Sequence, residues 1–155
     1  MRLTEILSRD CIKVPLEAST KQEAILELAD VLASKAGLSD PDELKQAVWQ
    51  REQTRTTGIG HGVAIPHGKC KGIDRLLMAI GIPAQPLEFG AIDGKPVELI
   101  ILLGSPVDQT GPHIQALAMV SRLLTDESTR ESIKAAKSAD DVYQIIAESE
   151  AKAAV

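Results

Sequence analysis

"FGAIDGKPVELIILLG", residues 89–104, decides the fold. Its last six residues, Leu99–Gly104, are apolar throughout, with no polar position in alternation. A strand with one wet face alternates; one that does not is covered on both faces. The "DG" at 93–94 is a hairpin signal, so Phe89–Ile92 and Pro96–Gly104 are expected to form a hairpin entering this long buried strand. "LLMAIGI" at 76–82 is a second run of the same kind. Both are far too short to span a membrane.

Strands covered on both faces need helices, and the flanking sequence supplies them. Thr20 and Glu23 form a capping box, followed by apolar positions at Ala24, Ile25, Leu28, Ala29 and Leu32, with Gly37 as the stop. Asp40, Pro41 and Glu43 start a second helix with the stripe Leu44, Ala47, Val48 and then Arg51. Periodicity disappears from Glu52 to Gly62, which predicts a loop leading to a short strand at Val63–Ile65. Another short strand is expected at Ile12–Pro15. A helix over about 111–124 is apolar nearly all round and should be buried. Asp126 can cap a helix to about Ala136, and Ser138 with Asp141 a last one to about Ser149. The expectation is an α/β fold: a three-layer α/β/α sandwich with a mixed β-sheet flanked by helices, forming one domain over residues 1–155.

The 155 residues carry 44% hydrophobic and 25% charged side chains, which places the chain among globular proteins. The formal net charge of −5 argues against nucleic acid, and one Trp, one Tyr and one Phe leave little for base stacking. The N-terminus has no secretory h-region and no run suits membrane insertion, so a cytoplasmic location is expected. Cys11 and Cys70 lack metal-type spacing and read as reduced thiols.

All three histidines fall in glycine- or proline-rich junctions: His61 and His67 in "GIGHGVAIPHGK" (58–69), and His113 after Pro112. Pro66 fixes the backbone before His67, and Gly68 frees it afterwards. A neutral imidazole held at a strand end suits a ligand or a nucleophile, and phosphorus is an electrophile that histidine accepts. His113 lies in the first turn of its helix, where the dipole disfavours a cation and the amides favour an anion. Arg51 could grip a phosphoryl oxygen with two N–H groups. Gly60, His61, Gly62 and Gly68 read as a pliable, phosphate-binding rim. The glycine pattern is neither a GxGxxG fingerprint nor a Walker A loop. Three histidines could also form a zinc site with an open position, but helical HExxH spacing is absent and no carboxylate lies between 58 and 73. No G-x-S-x-G elbow is present.

"TGIGHGVAIPHGK" (57–69), the upstream "REQTRTTG", "AIDGKPVEL" and "GPHIQALAMVSRLL" together resemble the fructose/mannitol-type enzyme IIA domain of the bacterial phosphoenolpyruvate-dependent phosphotransferase system. The likeness runs over nearly the whole chain. It implies an α/β sandwich with a mixed sheet and a phosphotransferase component working as a phosphohistidine carrier, with no cofactor and no metal. It also implies that His67 is the phosphorylated nucleophile, with His113 the second active-site histidine and Arg51 the arginine upstream of the glycine loop. The implied partners are an HPr-like phosphocarrier protein as donor, and an enzyme IIB domain or a regulatory target as recipient. The length and the ending "SADDVYQIIAESE" are most similar to the nitrogen-regulatory branch. His61 departs from it, standing where that branch usually carries asparagine. Sugar uptake through a IIB cysteine is the alternative within the family. A non-catalytic regulatory binding module is the alternative outside it. Ile59 and Ile65 are candidate apolar docking residues.

Overall fold

A computed structural model of the chain describes residues 1–153. The elements, in order, are α1 (Leu3–Ile6), β1 (Leu7–Leu16), α2 (Lys21–Ala36), α3 (Pro41–Thr54), β2 (Gly58–Gly60), β3 (Val63–Ala64), β4 (His67–Lys69), β5 (Leu77–Pro83), β6 (Leu99–Ser105), α4 (Thr110–Thr125), α5 (Glu127–Lys134) and α6 (Ala139–Ala153).

The strands form one mixed sheet in the order β1-β5-β6-β3-β2, with β4 also on β6. β1 runs parallel to β5, β5 antiparallel to β6, and both β3 and β4 parallel to β6. β5 and β6 are buried at every position, as their unbroken apolar runs require. Their side chains alternate between two cores. Leu77, Ala79, Ile100 and Leu102 meet α2 and α3 through Ile25, Leu28, Leu32, Leu44 and Val48. Met78, Ile80, Leu99, Ile101 and Leu103 meet the other helical layer through Leu3, Ala116, Val120, Ile133 and Ile146. This is the expected three-layer sandwich.

The helix signals at α2 are realised atom by atom. The Thr20 hydroxyl oxygen accepts the Glu23 N–H at 3.2 Å. Gly37 takes φ 68°, letting its N–H and that of Leu38 close the last turn. Asp126 accepts the Thr129 N–H at 3.0 Å, and Ser138 accepts that of Asp141 at 3.1 Å. At α3 the start is right but the box is not formed. Asp40 makes no side-chain cap, and the Glu43 carboxylate instead accepts the Lys71 N–H at 3.0 Å.

Other expectations are corrected. Residues 89–92 are not a strand. Phe89 is buried in the core and its carbonyl accepts from Lys21 Nζ and Thr56 Oγ1. Gly90 and Gly94 turn the chain at φ 66° and 72°, and among the described residues the pairing across that turn is the isolated Leu87–Val97 bridge. The 52–62 stretch is not a bare loop: α3 continues to Thr54, and Gly58–Gly60 pairs antiparallel to β3. Nor is α4 buried all round. His113, Ala116, Val120 and Leu124 face the core, while Ile114 is exposed. The strand expected at Ile12–Pro15 extends to Leu7–Leu16.

Candidate functional site

Pro66 has no N–H to give the sheet, so the pairing of the 63–69 segment with β6 breaks into β3 and β4. Its carbonyl still accepts the Leu103 N–H at 3.0 Å, which keeps the chain on β6 and starts β4 at His67. At this break the Ile65 carbonyl meets His67 Nδ1 at 2.9 Å. Because a carbonyl can only accept, Nδ1 carries the proton and the lone pair of neutral His67 lies on Nε2. Burial lowers the pKa of His67 below 6.5. The Ile65 carbonyl opposes that shift, the Arg51 charge adds to it and Glu52 opposes it. The imidazole is therefore largely neutral at pH 7.

His113 comes from the first turn of α4, beyond the C-terminal end of β6. Its ring sits 5.2 Å from that of His67, centroid to centroid, edge-on at 62°. It is almost wholly buried, with Nδ1 2.6 Å from Ser105 Oγ. Burial, followed by the charges of His67 and Lys69, pushes its pKa down to about 4. The neutrality expected from the helix dipole is thus present, but desolvation is its main cause. Lys69, two residues after His67 and so on the same face of β4, donates to Thr110 Oγ1 at 2.9 Å.

Arg51 lies in the last turn of α3, half-buried, and donates to the Arg55 carbonyl at 2.9 Å. The interior position on that helix is Glu52, one residue later, because the stripe runs Leu44–Val48–Glu52 in steps of four. The Glu52 carboxylate accepts the Thr57 N–H at 2.8 Å and its hydroxyl at 2.5 Å, and pairs with Lys21 at 3.0 Å. These bonds tie the end of α3 to the start of β2, beside His67.

The structure separates the proposed rim. Val63 pairs with Leu99 and His67 with Leu103, four residues or about 13 Å along β6. Gly60, His61 and Gly62 turn beyond the Val63 end, away from His67. His61 is exposed at φ 58°; its N–H donates to Asp93 at 3.0 Å and its carbonyl accepts from Lys134. The three histidines are therefore not one metal set. Gly68 is buried rather than rim-like: a Cβ there would stand 2.9 Å from the Val48 nitrogen and 3.1 Å from its Cα, so α3 can cross β4 only over glycine. Ile65 is buried too, whereas Ile59 is exposed.

Sequence reasoning missed Ser105, Glu52 and Lys69. Lys69 was within reach, since period two puts it on the face of His67. Ser105 and Glu52 carried no signal beyond being single polar residues closing a buried strand and a buried helix stripe.

The sequence model described as "Phosphoenolpyruvate-dependent sugar phosphotransferase system, EIIA 2" matches residues 5–149. The chain belongs to this family. It is 37% identical to the nitrogen regulatory protein of Escherichia coli (strain K12) over 153 residues, covering 97% of this chain and 92% of that protein. The crystal structure of nitrogen regulatory protein IIA-Ntr from Neisseria meningitidis superposes with a TM-score of 0.85 at 34% identity, over 92% of this chain and 97% of that one. The mannitol enzyme IIA of Escherichia coli, solved in complex with phosphorylated enzyme IIB, gives 0.77 at 26% identity over 91% and 96%. The EIIA domain is thus close to the nitrogen-regulatory type and also related to the mannitol type. Among the described residues no helix is long and apolar enough to cross a membrane.

Proposed function

We infer that this EIIA domain accepts a phosphoryl group on His67 Nε2 from an HPr-like phosphocarrier protein or its nitrogen-branch counterpart. It then passes the group on, or uses it as a regulatory signal. One observation carries the assignment: His67 Nδ1 is committed to the Ile65 carbonyl, which leaves a bare, neutral Nε2 beside a second neutral imidazole. The incoming group is a phosphohistidine. A bond forms between phosphorus and His67 Nε2 as the donor's P–N bond breaks in line with it. Each imidazole keeps the proton on its other nitrogen, so no proton has to move. The positive charge that develops on the phosphorylated His67 ring is met by the Ile65 carbonyl. Arg51 and His113 hold equatorial oxygens, since alignment and charge neutralisation are what such a transfer needs.

Regulatory use is favoured over sugar uptake by the likeness to nitrogen regulatory proteins across nearly their full length. A IIB partner is the uptake alternative, supported by the solved mannitol complex. The test is intact-mass measurement after incubation with phosphoenolpyruvate, enzyme I and HPr. One added phosphoryl group is expected, acid-labile and absent from His67→Ala. A phosphoryl group retained by His67→Ala overturns the site, and no uptake by the unaltered protein favours a binding module. Transfer onward to a IIB cysteine would favour sugar uptake.

A further inference from the structure

The two imidazoles are held through the same ring atom by chemically different partners. His67 Nδ1 meets a backbone carbonyl, while His113 Nδ1 meets the Ser105 hydroxyl. The carbonyl leaves no choice of tautomer. A hydroxyl can donate or accept, so the choice at His113 turns on which arrangement satisfies both groups.

Ser105 closes β6 and is wholly buried. Among the described residues, the His113 ring is the partner of its hydroxyl. If His113 Nδ1 donated, the hydroxyl proton would be left buried with no acceptor, which folded proteins avoid. If Ser105 donates, its proton and the Nδ1 lone pair are both satisfied. The ring proton then lies on Nε2, the edge not committed to Ser105.

We propose that Ser105 is a positioning residue that fixes His113 as the Nε2–H tautomer, so that the two adjacent neutral imidazoles are held in opposite tautomers. His67 presents a bare nitrogen and His113 presents an N–H. The functional weight of this arrangement rests on the phosphocarrier reading: the bare nitrogen attacks phosphorus, and the neighbouring N–H donates to a phosphoryl oxygen. A donor without charge makes a weaker hydrogen bond than a cationic one. That suits a group that must be handed on.

The test is NMR of nitrogen-15-labelled, unphosphorylated protein at about pH 7.5, where both rings are neutral. Long-range proton–nitrogen correlations report which ring nitrogen bears the proton. The wild-type protein should show Nδ1–H at His67 and Nε2–H at His113. Ser105→Ala should move His113 toward a tautomer mixture, leave His67 unchanged, and slow phosphoryl acceptance from phosphorylated HPr about tenfold. Ser105→Cys, a weaker donor of similar shape, should fall between. Nδ1–H at His113 in the wild type overturns the proposal, as does either readout failing to move in Ser105→Ala. Wild-type protein with the expected tautomers that takes up no phosphoryl group overturns the phosphocarrier reading alone.

Discussion

The two ends of the segment 58–69 share a composition and differ in everything that decides chemistry. At one end His61 lies between two glycines at positive φ, exposed, and, among the described residues, held through its backbone to Asp93 and Lys134. At the other, His67 is half-buried in a strand, with its ring bonded to a carbonyl and a second histidine against it. Backbone freedom marks the turn, whereas the position we propose as the nucleophile is the constrained one. An imidazole becomes a directed nucleophile when one nitrogen is committed and the other is left bare.

The largest expected contrast is between the histidines themselves. His67→Ala should abolish phosphoryl acceptance in the mass assay, while His61→Ala should stay within about twofold of wild type. A large loss in His61→Ala would collapse the distinction between the two ends.

The glycines should separate next. Gly68→Ala drives a methyl into the backbone of α3 and should cost about 2–3 kcal/mol in urea unfolding. Gly62→Ala, strained at φ 77° but facing the movable Lys134 side chain, should cost about 1 kcal/mol. Equal costs would mean that α3 yields at the crossing.

His113 adds a pH dependence at the His67 end. Its folded pKa lies near 4 and its ordinary value is 6.5, so between them the unfolded chain binds more protons. The stability this neutral histidine contributes is fully present above pH 6.5 and is lost as pH falls toward 4. The loss should be on the order of 2 kcal/mol by pH 4.5. Urea midpoints across that range should show a shallower fall in His113→Gln than in wild type. Parallel curves would mean that burial does not depress this histidine.

Arg51→Ala should have a smaller effect on phosphoryl acceptance than His67→Ala. Its charge is one of several influences on His67, so the pKa of His67 should rise on an NMR titration. Phosphoryl acceptance should slow about tenfold, roughly 1.4 kcal/mol of transition-state stabilisation. An unchanged titration would place Arg51 outside the site.

Much of the fold was legible because its signals are local. The apolar runs at 76–82 and 99–104, the box at Thr20 and Glu23, the stop at Gly37 and the cap at Asp126 each depend on residues a few positions apart. The sandwich follows from them, since strands without a polar face need helices on both sides. The 89–92 strand failed because Phe89 had a better place in the core than in a ladder. The helix at 110–125 failed as an all-buried element because Ile114 lies off its core-facing side.

The sequence by itself determined the layers, the family resemblance and the unusual placement of His67 and His113. Only the tertiary structure decided that His61 belongs to the far end, that Glu52 and not Arg51 continues the buried stripe of its helix, and that Gly68 serves a helix crossing. It alone showed Ser105 beneath His113. These are matters of register and of helix-on-sheet approach. They bring Val48 over Gly68, where an added Cβ would stand about 3 Å from the helix backbone, and Ser105 to 2.6 Å from His113, which no local pattern encodes.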